Sequence, residues 1–68
     1  MNRETLRDSV KQRPFKPFVI RLTNDQQFRI DDSDRIAVSP DQEIAIVFTP
    51  GHYHVIDTTK VASLEVLP

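Results

Sequence analysis

His52 and His54, two apart in "HYHVID", are the residues that come nearest to a metal site. On a strand that spacing points both side chains to one side. A structural zinc takes four ligands, and a catalytic zinc takes three plus water. The others would have to come from Asp31, Asp32, Asp34 or Asp57, and nothing in the sequence holds those in place. The expected arrangement is two solvent-facing histidines opposite an inward Tyr53 and Val55, with no metal. "DDSD", Asp31 to Asp34, carries three carboxylates in four residues. A helix–loop–helix calcium site spreads its ligands over about twelve residues, with a central Gly and a late Glu. That pattern does not follow here, and Asp and Ser are ordinary turn residues because their side chains bond nearby backbone.

Ser, His and Asp are all present, but no G-x-S-x-G elbow frames a nucleophile. A single glycine, Gly51, leaves no Gly-rich loop to cradle phosphate. No catalytic residue, cofactor or small-molecule substrate is expected, and the chain reads as non-enzymatic. Arg3, Arg7 and Lys11 are spaced by four, so they line one helical face and are the candidate nucleic-acid contacts. Glu4 and Asp8 interrupt them on the neighbouring face. Such a stripe is more often a solvated helix face than a phosphate site. In "RPFKPF", Arg13 to Phe18, extended prolines could dock in an aromatic groove. The structural alternative is preferred: Pro14 and Pro17 stiffen a helix-to-strand corner, and Phe15 and Phe18 are buried.

These groups need elements to hold them. Residues 2–12 read as a helix. Asn2 suits the N-cap, Met1 and Leu6 suit a hydrophobic staple, and Leu6 and Val10 share a face. Pro14 ends it, because the residue before a proline is pushed out of the helical region. From Phe18 the period becomes two. Phe18, Ile20, Leu22, Phe28 and Ile30 make a hairpin about "TND". An odd loop keeps the apolar sets on one face, since a one-residue slip flips every side chain. A three-residue loop, Thr23 to Asp25 or Asn24 to Gln26, does so, and the first is preferred because it puts Asp25 in the left-handed position such loops need. "RIAVS", "IAIVF", "HYHVID" and "VASLEV" are further strands, separated by "PDQE", "TPG" and "TTK". The expected core is Phe18, Ile20, Leu22, Phe28, Ile30, Ile36, Val38, Ile46, Phe48, Val55 and Leu64.

Composition narrows the class. Sixty-eight residues make one domain, residues 1–68. No Cys is present, so no disulfide and no thiolate zinc site can stabilise it. Nine basic against ten acidic residues give a net charge of −1, with no general pull toward nucleic acid or anionic lipid. No stretch approaches the ~20 apolar residues of a membrane span. "MNRETLRDSV" lacks the apolar run of a signal peptide, so a cytoplasmic location is expected. Connections are too short for parallel crossovers. The fold class expected is α+β, mainly β: an N-terminal helix (residues 2–12) and a five- to six-stranded antiparallel small barrel over residues 17–67.

The element order resembles the Sm-like fold, an SH3-type small barrel. That resemblance implies rings that bind uridine-rich RNA. It also implies an Asn in the turn before the third strand and an Arg-Gly pair near the last. "PDQE" and "TTK" stand there instead, so no RNA-binding residue carries over. The chain also looks like small uncharacterised bacterial proteins with a helix, an "RPF-x-PF" segment and an acidic turn, here "RPFKPFVIRL" and "TND". Their turn usually has Gly where Asp25 stands. That likeness implies a fold and no established activity.

"IAIVF" is apolar on both faces, whereas a half-exposed strand keeps one face polar. Either the Leu6/Val10 face of the helix covers the second face or another subunit does; on the second account Ile44, Ala45 and Val47 are the candidate partner interface, with a homodimer expected before a ring. The functional reading is a small binding or assembly module. The alternative is an Sm-like nucleic-acid binder using the helix stripe.

Overall fold

The computed structural model describes residues 2–68. Helix α1, Arg3–Lys11, starts where the sequence places it: Asn2 Oδ1 accepts from the Thr5 N–H at 2.9 Å and from the Thr5 hydroxyl. This satisfies one of the N–H groups that a helix leaves open at its start. The Met1 half of the expected staple lies outside the described residues. Leu6 is wholly buried, and Val10 packs against the same cluster. The RPFKPF corner follows, with a cis Arg13–Pro14 peptide. Phe18 is wholly buried, and Phe15 is half-buried with its ring centroid 5.8 Å away.

Six strands follow: β1 (Phe18–Leu22), β2 (Gln27–Ile30), β3 (Ile36–Val38), β4 (Ile44–Thr49), β5 (His52–Asp57) and β6 (Val61–Val66). They form two three-stranded antiparallel sheets, ordered β2-β1-β6 and β3-β4-β5. No strand pairing joins the two sheets among the described residues, so the structure is mainly β but shows no closed barrel.

The β1–β2 register is the expected one. Ile20 lies opposite Phe28, and the loop Thr23–Asp25 ends with Asp25 at φ 69°. Leu22 N–H bonds the Gln26 carbonyl at 2.8 Å, and Asn24 Oδ1 accepts from the Gln26 N–H, closing the turn. "DDSD" is turn chemistry, as read: Asp32 Oδ1 accepts from the Asp34 N–H and starts a single 3-10 turn, Ser33–Arg35. A second 3-10 turn, Thr58–Lys60, leads into β6, and the β1–β6 register shifts between Arg21 and Leu22.

The core lies between the sheets. Phe18, Ile20, Leu22, Phe28, Ile30 and Ile36 are buried as expected, and Val38 and Leu64 are half-buried. Three expected core residues lie outside this cluster. Phe48 and Val55 are exposed and Ile46 only half-buried, while Ala45, Val47 and Ile56 face inward. Strand β4 has turned its smaller residues to the core. Packed interiors admit only what fits without voids or overlap, and Ala45 and Val47 are the side chains this inner face holds.

Candidate functional site

The outward face of β4 and β5 is the most unusual surface of the molecule. The loop Pro50–Gly51 joins the strands. Gly51 takes φ 81°, which suits the third position of a type II turn after Pro. A two-residue loop makes Thr49 pair with His52, and parity then fixes the rest: Val47 with His54, Ala45 with Ile56, Phe48 with Tyr53, and Ile46 with Val55. Since Val47 and Ala45 face the core at 1% exposure each, Ile44, Ile46, Phe48, Tyr53 and Val55 share the outside. Ile44 is 37% exposed, Phe48 42%, Tyr53 64% and Val55 61%. Ala37 of β3, opposite Ile46, extends this face. Its charged member is Asp57, opposite Ile44 at one end.

The candidate interface of Ile44, Ala45 and Val47 therefore divides. Ile44 is on the surface; Ala45 and Val47 are covered by their own chain, because they point between the sheets. The exposed apolar residues beside Ile44 are ones the sequence reading assigned to the core. One signal could have found them. The Pro-Gly loop couples the faces of the two strands, so placing Val47 inside puts His54 inside and Tyr53 and Val55 outside.

The histidine arrangement is corrected by the same parity. His54 is half-buried and lies against Phe28, with ring centroids 5.0 Å apart, and His52 stacks edge-on at 5.1 Å from His54. Both lie on the inner side, and Tyr53 and Val55 on the outer. No group of three or more His, Cys, Asp or Glu side chains able to hold a metal occurs among the described residues. Beside the imidazole of His54 runs an open cleft of about 620 Å³, between β5 and the β1–β2 hairpin. Leu22, Phe28 and Ile56 line it, with Asn24, Gln26 and Lys60.

The basic stripe on α1 is engaged within the chain. Arg3 Nη1 donates to Glu43 Oε1 at 2.7 Å, and Glu43 Oε2 accepts from the Thr58 hydroxyl at 2.7 Å. The Thr58 N–H also bonds the Glu43 carbonyl oxygen. Arg7 Nη2 donates to the Ser39 carbonyl oxygen at 2.8 Å, and Lys11 is exposed. Arg3 and Arg7 thus hold the helix over the β3–β4 turn. The Thr58 hydroxyl, and after it the Arg3 charge, keep the Glu43 carboxyl below the usual glutamate range, against a partial loss of solvent that works the other way. Asp57 is lowered too, first by the Thr59 hydroxyl and its N–H, then by Lys60. Both carboxylates serve local structure: Glu43 links α1, the β3–β4 turn and the second 3-10 turn, and Asp57 caps that turn.

No protein-family model matches the chain, and no curated protein or solved structure matches it either.

Proposed function

We propose that the protein is a small, non-enzymatic assembly module that joins to a second copy of itself along the β4–β5 hairpin. One observation carries this reading: Tyr53 and Val55, the most exposed large apolar residues of the hairpin, sit beside Phe48 and Ile46 on one face of a sheet whose other face is already packed. Contiguous exposed apolar surface of this kind marks interaction sites in soluble proteins. A domain of this length buries a modest fraction of its surface on folding, so added burial through association has a large relative effect. Symmetric pairs are the commonest assemblies.

The nucleic-acid reading has less support, because Arg3 and Arg7 are held in contacts within the chain. The small-barrel class stays part of the proposal. Its support is the order of elements, with a 3-10 turn leading into a last strand that pairs with the first.

Association stabilises the folded form by mass action, so the melting temperature should rise with protein concentration. A melting temperature that stays constant over two decades of concentration would overturn the reading.

A further inference from the structure

We infer that the two copies join edge to edge: β5 of one copy pairs antiparallel with β5 of the other, with Val55 opposite its own counterpart. This rests on the self-association reading above and specifies where and in what register it occurs.

The backbone carries the first part of the argument. In an antiparallel pair, residues alternate between those that bond the neighbouring strand and those that point away. The bond from the Thr58 N–H to the Glu43 carbonyl marks the pair 43/58 as bonded. The pairs Ala45/Ile56, Val47/His54 and Thr49/His52 follow in the same phase. The N–H and C=O groups of Tyr53, Val55 and Asp57 consequently point to the open side of β5. β5 is the sheet's outer strand, and among the described residues the N–H and C=O groups of Tyr53 and Val55 and the N–H of Asp57 have no backbone partner there, while the Asp57 carbonyl also starts the 3-10 turn Thr58–Lys60.

The other edges are protected and β5 is not. β3 is flanked by α1, which bonds the Ser39 carbonyl through Arg7. β2 is four residues long, with the Arg29–Asp31 ion pair beside it. The β1–β6 ladder is irregular at Arg21/Leu22. Natural edges are guarded by shortness, charge, proline or irregularity. β5 runs six residues, His52–Asp57, without Pro, Lys or a register shift.

Register follows from matching the free groups. Centring on Val55 sets Tyr53 against Asp57 of the second copy and Asp57 against its Tyr53, so the three open N–H groups of each strand, at Tyr53, Val55 and Asp57, all face a carbonyl of the other. A shift by two residues in either direction leaves one of the three unmatched on each strand. The same register sets each Asp57 opposite a Tyr53 on the outer face and keeps the two Asp57 carboxylates apart. On the outer face, Val55 meets Val55 and the two Tyr53/Phe48 pairs become continuous. On the inner face, His54 of the incoming strand comes opposite Ile56, at the wall of the cleft lined by Leu22 and Phe28.

The chain has no cysteine, so one introduced thiol tests the register. In a bonded antiparallel pair the Cα atoms lie about 5.5 Å apart, within disulfide reach of about 4.4–6.8 Å. Val55→Cys should form a disulfide-linked pair under oxidised glutathione. Tyr53→Cys should not, since its counterpart lies four residues away, roughly 13 Å. We expect cross-linking about tenfold or more faster at Val55, as held thiols react at effective concentrations near mM. In the unaltered chain, amide hydrogen exchange at Tyr53 and Val55 should slow as concentration rises. An associating parent in which Val55→Cys links no faster than Tyr53→Cys, or in which those amides stay unprotected, overturns the edge register and leaves the assembly reading standing. A parent that stays monomeric throughout overturns both.

Discussion

Val47 and Phe48 are neighbours in sequence and opposite in environment, and a lysine at each position separates the two faces of β4. Val47 is 1% exposed. Val47→Lys loses about 1.5–3 kcal/mol of apolar burial. It also places an ammonium between the sheets, where an unpaired buried charge costs several kcal/mol more. A domain of 68 residues has a total stability of about 3–10 kcal/mol. The substitution therefore takes most or all of it, and Val47→Lys should be unfolded or nearly so in buffer. Phe48 is 42% exposed. A little over half of the side chain is buried, so about 1–2 kcal/mol is lost, and the lysine stem recovers part of that by lying along the sheet. With a urea slope near 1 kcal/mol/M for a chain this small, the midpoint should fall by about 1–2 M with the slope unchanged. Far-UV circular dichroism during urea titration, at one fixed protein concentration, reads both. If Val47→Lys keeps a cooperative transition while Phe48→Lys has none, β4 faces the other way and the assignment of the outer surface is wrong.

Phe18→Ala should destabilise by about 3–5 kcal/mol, and Phe15→Ala by clearly less, because only Phe18 is wholly buried; equal melting of Phe18→Ala and the parent would place the ring on the surface. Asn2→Ala removes the acceptor for the Thr5 N–H and should cost about 1 kcal/mol, measured as a shift in the urea midpoint; no shift would mean the cap contributes nothing to folding. Glu43 has a folded-state pKa below its unfolded value, so its contribution is present above the unfolded value, near about pH 4.3, and is lost as pH falls through the folded one. Glu43→Gln should flatten that acid limb in melts taken between neutral pH and pH 2, and an unchanged limb would show that the Thr58 and Arg3 contacts do not favour the charged form.

Local chemistry was legible where one residue type has one physical use. Asn2 at a cap, Pro14 after a helix, and Asp25 at a left-handed loop position each constrain a few neighbouring dihedrals. With the odd-loop parity they yield the β1–β2 register directly. The face of β4 was not legible from its own strand, because "IAIVF" is apolar on both sides and a period of two carries no phase. Size misled there: Ile46 and Phe48 looked like core and Ala45 and Val47 like interface, yet the space between the sheets holds Ala45 and Val47. The error propagated to β5 through the Pro50–Gly51 loop, so Val55 and the histidines were assigned to the wrong sides together. The engagement of Arg3 was also invisible, since its partner Glu43 is forty positions away and only the fold brings them within 2.7 Å.

Sedimentation equilibrium of the unaltered chain over a wide concentration range tests self-association most directly. The chain mass is 7.9 kDa, so a pair weighs 2 × 7.9 = 15.8 kDa. The account predicts that the weight-average mass climbs toward that pair value and stops there, with Val55→Pro lowering it at every concentration because the N–H on the open edge is gone. A mass that stays at the single-chain value up to the highest concentration reached would contradict it.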